Sequence, residues 1–96
     1  MSRLIWSPRA LADVERLHHF LARKNKEAAR RAIAAIRQSV KAIARHPEIG
    51  RPVDDMPPEF REWIVAFANG AYVVLYRLDE REAVIVAVRH SREAGY

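Results

Sequence analysis

The stretch from Val84 to Tyr96 reads VIVAVRHSREAGY and gives the strongest indication of the fold. It begins inside an apolar strand, predicted at Ala83 to Arg89, and successive side chains on a strand alternate between its two faces. Neither set of alternate residues is polar, so the strand is expected to need cover on both faces. The predicted faces are Ala83, Ile85 and Ala87 on one side, and Val84, Val86 and Val88 on the other.

Ionisable and hydrogen-bonding side chains follow this strand at once. They are Arg89, His90, Ser91, Arg92, Glu93 and Tyr96. Such side chains at the end of a buried strand are well placed to meet a ligand or a partner. We therefore treat this segment as the candidate functional site.

The composition limits the classes of protein. The 96 residues, 50% hydrophobic and 30% charged, are typical of one globular domain that spans residues 1–96. The chain has no cysteine, which excludes disulfides, cysteine nucleophiles and thiolate metal sites. The four histidines lack the spacing of a zinc site, so we expect no metal and no cofactor. No stretch approaches the roughly 20 apolar residues of a membrane span, and we expect a cytoplasmic protein.

The formal net charge of +5 is unevenly distributed. Up to Arg51 there are twelve Lys or Arg against four Asp or Glu, and from Pro52 onward there are five against eight. A basic N-terminal half suits an acidic partner, either a nucleic acid or an acidic protein. A solvated helix face is the alternative interpretation.

The N-terminal half predicts one short strand and two helices. The strand is Arg3 to Trp6, and Ser7 and Pro8 then favour a helix that extends to about Lys24. Its stripe, expected to be core, consists of Ala10, Leu11, Val14, Leu17, Phe20 and Leu21. A second helix is predicted from a cap at Asn25 to about Arg45, with the stripe Ala29, Ala32, Ile33, Ile36, Val40, Ile43 and Ala44.

The C-terminal half predicts a loop at residues 47–59 and then three strands. The strands are Arg61 to Phe67, Tyr72 to Leu78 and Ala83 to Arg89. Asn69 and Gly70 favour a tight hairpin turn between the first two of them. The predicted fold is therefore α+β with the order β-α-α-β-β-β, a two-helix antiparallel hairpin packed on a four-stranded, mostly antiparallel sheet.

Five motifs in this order resemble the RelE/ParE toxin superfamily. They are WSPRALADV (Trp6 to Val14), PEIGRP (Pro47 to Pro52), REW (Arg61 to Trp63), YVVLYR (Tyr72 to Arg77) and AVRHSREAGY (Ala87 to Tyr96). The resemblance covers nearly the whole chain, and its ending is most similar to the ParE branch. It implies a type II toxin, linked to growth arrest and plasmid stabilisation. The toxin would be held in a hetero-oligomer by an antitoxin with an acidic, flexible C-terminal segment.

ParE-like members, as the resemblance implies, bind DNA gyrase and trap it on cleaved DNA without chemistry of their own. Docking of this kind needs exposed polar anchors on a rigid scaffold, and no catalytic residue is expected. The predicted target contacts are Arg23, Arg30, Arg31, Arg37, Arg51, Arg89, His90, Arg92 and Tyr96. For Arg51, an ion pair with Glu48 or Asp54 is an equal alternative.

The alternative implied by the resemblance is a RelE-like endoribonuclease that cleaves messenger RNA on the ribosome. In that case His90 would be the acid or base, Arg61 and Arg89 would hold phosphate, and Tyr96 would stack a base or act as acid. All three lysines lie on the predicted helices, unlike those of many RelE-type nucleases, which favours the gyrase interpretation. His90 has a structural alternative, and Arg61 and Glu62 have one as cross-strand charge partners. A third hypothesis is a non-toxic partner that joins the antitoxin in repressing its own operon.

The antitoxin is expected on the sheet face that the two helices leave open, because an apolar patch of several hundred Å² usually marks an interaction site. The residues predicted to meet it are Trp63, Val65, Tyr72, Tyr76, Val86 and Val88. Closure of that face by the proline-rich loop and the tail is the alternative.

Overall fold

The computed structural model describes residues 2–68 and 70–93. The chain forms, in order, β1 (Arg3–Trp6), α1 (Pro8–Ala22), α2 (Lys26–Arg45), β2 (Arg51–Pro52), β3 (Phe60–Phe67), β4 (Gly70–Leu78) and β5 (Glu82–His90). The strands make one sheet in the order β1-β5-β4-β3-β2, in which β1 runs parallel to β5 and the other pairs are antiparallel. The predicted α+β class, with its helical hairpin and mostly antiparallel sheet, is confirmed.

The sheet has one strand more than the four predicted. β2 lies at its edge and pairs Arg51 with Glu62 and Pro52 with Arg61. A strand of two residues, one of them a proline without an N–H, carries no alternating pattern that could separate it from a loop. For this reason the sequence predicts the whole segment 47–59 as a loop, and β2 is missed.

The three long strands extend the predicted ones by one or two residues at their ends. Phe67 stands opposite Gly70 in the register of β3 and β4, as a hairpin between these strands requires. Asn69, which the sequence places in that turn, lies outside the described residues.

Both helices begin where their caps predict. Ser7 Oγ accepts a hydrogen bond from the Ala10 N–H (3.0 Å) at the start of α1. Asn25 Oδ1 accepts one from the Ala28 N–H (3.0 Å) at the start of α2. Each cap satisfies an N–H that the first helical turn leaves without a partner. The ends of both helices fall within two residues of the predicted positions.

The buried stripe of α1 is narrower than predicted. Ala10, Val14 and Leu17 belong to the core, whereas Leu11 is 49% exposed and Phe20 is 57% exposed. At 100° per residue, these two side chains project about 90° from the centre of the stripe, on opposite flanks of the helix. Both lie outside the buried stripe of the helix, so the prediction that both are core is wrong.

An inserted residue in β5 changes the face that its side chains occupy. Two successive register pairs show the insertion: Tyr76 with Ile85, and Leu75 with Ala87. Val86 between them is a bulge, and a bulge reverses the alternation of faces beyond it. Val88 therefore joins Ile85 in the core beneath the helices. The predicted faces are wrong beyond Ile85, because simple alternation cannot register an inserted residue.

Both helices pack on one face of the sheet, and that face carries most of the residues predicted to meet the antitoxin. Those in or against the shared core are Trp63, Val65, Tyr72, Tyr76 and Val88. All of them except Trp63 are at most 4% exposed. The face assignment behind that prediction is wrong, because β4 is buried along most of its length and its apolar run does not distinguish its two faces.

The opposite face of the sheet is less open than the sequence predicts. Three of its residues are at most 3% exposed: Val73, Leu75 and Ala87. Their cross-strand neighbours in the register include the long charged side chains of Glu62 and Arg89. Among the described residues of this face, Ile64, at 41% exposure, is the large apolar side chain that remains exposed.

Candidate functional site

The bulge in β5 is held by the first two turns of α1. Ser7 Oγ donates a hydrogen bond to the Val86 carbonyl (3.0 Å), and Asp13 Oδ2 accepts one from the Val88 N–H (2.9 Å). Ser7 is also the N-cap, so one hydroxyl joins the start of the helix to the strand. These contacts fix the position of the β5 backbone on both sides of the bulge, and so the position from which the strand runs on to His90.

Asp13 begins a chain of charged contacts that reaches the segment of residues 89–93, which we call the C-terminal turn. The Asp13 carboxylate lies 3.9 Å from Arg9 and 3.7 Å from Arg16. Arg16 Nη1 is 3.0 Å from Glu93 Oε2. The arginines are about half exposed, so each pair contributes at most about 1 kcal/mol. Together they join α1 to the C-terminal turn.

The C-terminal turn is folded on its own side chains. Arg89 Nη1 donates to three backbone carbonyl groups: those of His90 (3.3 Å), Ser91 (3.4 Å) and Glu93 (3.0 Å). Glu93 Oε1 accepts a hydrogen bond from the His90 N–H (2.9 Å). Partial burial works against the charged form of Glu93, but the His90 N–H and the Arg16 guanidinium outweigh it and lower the pKa of this carboxyl. The charged carboxylate therefore closes the turn.

The imidazole of His90 lies between the start of β4 and the C-terminal turn. Its Nδ1 accepts a hydrogen bond from the Arg92 N–H (3.1 Å), so this nitrogen carries no proton in the observed arrangement. Its ring meets Tyr72 edge-on, with centroids 5.3 Å apart and planes at 88°. A Cβ on Gly70 would lie 2.9 Å from Nε2, so glycine at this position makes room for the ring. Nδ1 is thus bonded within the turn, and the Nε2 edge of the ring packs against Gly70.

A groove of about 650 Å³ runs beside this turn, and we call it the α1 groove. Its apolar lining is Leu17, Phe20, Leu21 and Tyr72, and its charged or polar lining is Arg16, Lys24, His90, Arg92 and Glu93. Lys24 Nζ stands 5.5 Å from the centroid of the Phe20 ring, within the range of a cation–π contact. The apolar floor and the mostly cationic rim of this groove are complementary to a peptide segment that carries both apolar side chains and carboxylates.

Arg61 and Tyr76, by contrast, brace the loop before β2. The Tyr76 hydroxyl donates to the Pro47 carbonyl (2.7 Å) and accepts from the Gly50 N–H (2.8 Å). Arg61 Nη1 donates to the Gly50 carbonyl (2.7 Å). A Cβ on Gly50 would lie 2.6 Å from Tyr76 Oη, so a side chain there would have to displace the tyrosine. Burial raises the pKa of Tyr76, and the Gly50 N–H partly opposes that shift.

The cross-strand ion pair of this region joins Glu62 to Arg51. Arg51 Nη2 lies 3.2 Å from Glu62 Oε1, across the register of β2 and β3. The prediction that Glu62 is a cross-strand charge partner is confirmed, but Arg61 bonds to carbonyl groups instead. The alternative that Arg51 pairs with Glu48 or Asp54 is wrong, because β2 places Arg51 directly opposite Glu62.

The residues of the nuclease alternative do not converge in the described structure. Arg61 and His90 pair in register with β4 residues that are four positions apart, a separation of roughly 13 Å. Arg89 and His90 are adjacent on β5 and therefore project to opposite faces of the sheet. Tyr96 lies outside the described residues.

The residues predicted to contact a target fall into separate regions. Arg30, Arg31 and Arg37 lie on the exposed side of α2, and Arg23 is exposed just beyond α1. Arg51 lies at the β2 edge of the sheet. The remaining described members of the set, Arg89, His90 and Arg92, belong to the C-terminal turn and its strand.

Sequence reasoning missed the α1 side of this site. Asp13, Arg16 and Lys24 were assigned no role and Phe20 was assigned to the core, although all four link or line its parts. Asp13 and Arg16 stand three residues apart on one helix, a spacing typical of an ion pair, and this signal was present in the sequence.

Two negative findings apply to the described ranges, residues 2–68 and 70–93. No three His, Asp or Glu side chains there are grouped so that they could hold a metal ion. Neither helix is long and apolar enough to cross a membrane.

Comparison with known proteins agrees with the fold. A family model described as "ParE toxin of type II toxin-antitoxin system, parDE" matches residues 4–95. Toxin RelE3 of Caulobacter vibrioides is 35% identical over 86 residues, which are 90% of each chain.

Two solved structures have the same fold. One is the chromosomal ParDE toxin–antitoxin system from P. aeruginosa, with a TM-score of 0.73, 21% identity and coverage of 94% of this chain and 96% of that one. The other is the RelBE2 toxin–antitoxin complex from Mycobacterium tuberculosis, with a TM-score of 0.66, 22% identity and coverage of 93% and 96%. At these identities the likeness concerns the fold alone. The match of the family model over nearly the whole chain, however, means that this protein belongs to the ParE toxin family of type II toxin–antitoxin systems.

Proposed function

We propose that this toxin acts by binding DNA gyrase and performs no chemical step of its own. The observation that carries the proposal is the internal bonding of the C-terminal turn. His90 Nδ1 accepts from the Arg92 N–H, and Glu93 bonds to the His90 N–H and to Arg16. A general acid or base needs a nitrogen or oxygen directed at its substrate, whereas a docking surface needs a rigid arrangement. The turn fits the second requirement.

The proposed neutralising partner is a cognate antitoxin, which forms a hetero-oligomer with the toxin and contacts it through an acidic, flexible C-terminal segment. The α1 groove, rather than the sheet, is its proposed docking site. Phe20 is exposed there beside Lys24, and Arg16 and Arg92 stand at the rim. An amphipathic acidic segment would bury the apolar floor and pair with Lys24 and Arg92 as it folds.

The target is tested with the antitoxin-free toxin in two parallel assays. One is a gyrase supercoiling and cleavage assay, and the other is a cell-free translation reaction in which the messages are mapped. We expect loss of supercoiling with accumulation of cleaved DNA, and intact messages. Untouched gyrase together with codon-positioned cuts in the messages would reject the proposal.

The second candidate is a ribosome-dependent endoribonuclease, favoured by the name of the relative Toxin RelE3. The variant His90→Asn separates the two, because Asn Oδ1 can still accept from the Arg92 N–H but cannot act as an acid or base at neutral pH. A nuclease that depends on His90 would lose roughly 10²–10⁴-fold in rate. For a docking toxin we expect gyrase inhibition within about tenfold of wild type, measured by titration, with the thermal melt as the control of folding.

The antitoxin site is tested with two matched variants of α1. Phe20→Ser and Leu11→Ser each remove a large, roughly half-exposed apolar side chain, but from opposite flanks of the helix. We expect Phe20→Ser to weaken binding of the antitoxin at least roughly tenfold, the size of an interface anchor, and Leu11→Ser to change it little. The measurement is calorimetric titration with the product of the short reading frame expected beside the toxin gene. Equal effects of the two variants would exclude the α1 groove.

A further inference from the structure

The net charge of the protein is concentrated on one helix. α2 contains six Lys or Arg and a single acidic residue, Glu27. The whole chain contains 17 Lys or Arg and 12 Asp or Glu, a formal net charge of +5. α2 alone therefore accounts for the entire net charge, and the rest of the chain is balanced. An ordinary solvated helix face mixes both signs of charge, as i,i+4 pairing favours.

These cations share the side of α2 that faces away from the core. They are Lys26, Arg30, Arg31, Arg37, Lys41 and Arg45, and all six are exposed. At 100° per residue they span about 140° of the helix circumference, opposite the buried stripe that includes Ile36 and Val40. We call this surface the α2 outer face. The 20 residues of α2 make it roughly 30 Å long.

Few side chains in the described ranges neutralise the α2 outer face. Glu27 accepts hydrogen bonds from Arg30, and this contact lowers the pKa of the Glu27 carboxyl. Lys41 reaches the uncharged side chain of Gln38 (3.4 Å). Within the described part of the chain, no other α2 cation forms an ion pair. About five charges are thus available to a partner.

The residues between these cations indicate the class of that partner. The other exposed residues of α2 are Glu27, Ala34 and Gln38. A protein interface draws most of its affinity from buried aromatic, aliphatic or arginine anchors set in pockets, and single-stranded nucleic acid binds by stacking its bases on aromatic rings. The α2 outer face has arginines but no large apolar or aromatic side chain around them, so it lacks the apolar contacts of a protein interface and the rings needed for stacking. Contacts to a duplex phosphate backbone need only cations at suitable positions.

We propose that the α2 outer face binds the phosphate backbone of double-stranded DNA without sequence preference. The major groove of B-DNA is about 12 Å wide and admits an α-helix, whereas the major groove of an RNA duplex is deep and narrow. Cations spread over about 140° of the helix reach phosphates on both rims of the groove. In this proposal Arg30, Arg31 and Arg37 contact DNA rather than gyrase. The contact is separate from the C-terminal turn and from the α1 groove, and it would keep the toxin near the DNA on which gyrase works.

The test is fluorescence anisotropy with the full-length toxin and a 24-base-pair DNA duplex of arbitrary sequence, at salt concentrations from about 50 to 200 mM. Each phosphate neutralised adds about 0.9 to the negative slope of log K against log salt. The test variant is Arg37→Gln/Lys41→Gln. The control is Arg3→Gln/Arg81→Gln, which removes the same charge from exposed positions outside α2. Glutamine is a good helix former, and melts of both variants check the fold.

We expect the α2 variant to lower the magnitude of the salt slope by about 1.8 and the affinity at 0.1 M salt by roughly tenfold or more. The control should retain the wild-type slope, because Arg3 and Arg81 lie outside the α2 outer face and, in this proposal, neutralise no phosphate. Equal losses in both variants would mean that net charge alone is responsible, and the proposal would be overturned.

Three further outcomes would overturn the assignment to duplex DNA. An unchanged slope in the α2 variant would remove this face from the contact. Equal or tighter binding to an RNA duplex or to single-stranded oligo-dT would assign it to another nucleic acid. Wild-type DNA binding by the variant, with loss of binding to polyglutamate, would assign it to an acidic protein. None of these results depends on the gyrase or translation assays, so this proposal and the proposed function fail separately.

Discussion

The C-terminal turn and the α2 outer face are both rich in charged side chains, but the structure uses them in opposite ways. In the turn, Glu93 bonds to Arg16 and to a backbone N–H, and Arg89 bonds to three carbonyl groups. On the α2 outer face, Arg30 is the cation that has a described carboxylate partner. Charge density in the sequence does not distinguish these cases, because it does not say which charges neutralise one another.

The difference teaches where the stability and the binding capacity of this fold reside. Charges that pair across elements hold the chain in one arrangement, as a rigid docking surface requires, and leave little long-range attraction for a polyanion. Unpaired cations of one sign repel one another weakly and attract a polyanion at a distance. We therefore expect substitutions in the first network to change folding, and substitutions on the α2 outer face to change binding.

The largest effect on folding is expected from Asp13→Ala. Loss of this carboxylate leaves the Val88 N–H at the β5 bulge without its acceptor, which costs about 2 kcal/mol of the free energy of unfolding. Asp13→Asn retains an acceptor oxygen and should lose less. The measurement is urea denaturation, with the exposed Glu15→Ala as control, expected within about 0.5 kcal/mol of wild type. If Asp13→Ala unfolded at the same urea concentration as wild type, the contact from α1 would not stabilise the bulge of β5.

The next largest effect on the free energy of unfolding is expected when an arginine is replaced by glutamine, once in each region. Arg16→Gln removes contacts to Asp13 and Glu93, and we expect a loss of about 0.5–1 kcal/mol, reduced by the exposure of the arginine. Arg37→Gln removes a like-charge neighbour of Lys41 at i+4, and we expect no loss, or a gain of up to about 0.5 kcal/mol. Urea denaturation at low and at 0.5 M salt measures both. Equal destabilisation by the two variants would contradict the contrast drawn between the regions.

The smallest effect is expected from the titration of Glu93. Its pKa is lowered in the folded protein from an ordinary value of about 4.5, so its contribution is complete above that pH and is lost as the pH falls through the folded pKa. The side chain is 36% exposed, so solvent screening limits the contribution to less than about 1 kcal/mol. We expect Glu93→Gln to be less stable than wild type at pH 7 and to approach it below pH 4.5, as followed by urea denaturation. A constant difference across this range would show that the carboxylate charge does not hold the turn.

Much of the fold follows from local signals. The caps at Ser7 and Asn25 and the position of Pro47 predict both helices to within two residues, because each depends on a few neighbouring atoms. Three apolar runs separated by turns predict the long strands. The candidate site was predicted in part: its segment from Arg89 to Glu93 was identified, but its α1 side was not.

The errors have one physical origin, which is that strand register and helix packing depend on residues far apart in the chain and leave no local trace. The bulge at Val86 depends on which β4 residue each β5 residue meets, and it moves Val88 into the core. β2 exists because Arg51 and Pro52 meet β3, and that pairing gives Arg51 its partner Glu62. Leu11 and Phe20 lie on the exposed flanks of α1, and helical periodicity does not report how wide the buried stripe is.

The sequence by itself determined the order of the elements, the α+β class, the basic character of α2 and the resemblance to the toxin family, because each depends on residues close together in the chain. The tertiary structure alone decided which charges are neutralised. Asp13 lies 75 positions from Val88, from whose N–H it accepts a hydrogen bond, and Tyr76 lies 29 positions from Pro47, to whose carbonyl group it donates. Contacts at such separations form only when the helices and the sheet pack together, and their packing distinguishes the bonded C-terminal turn from the open cations of α2.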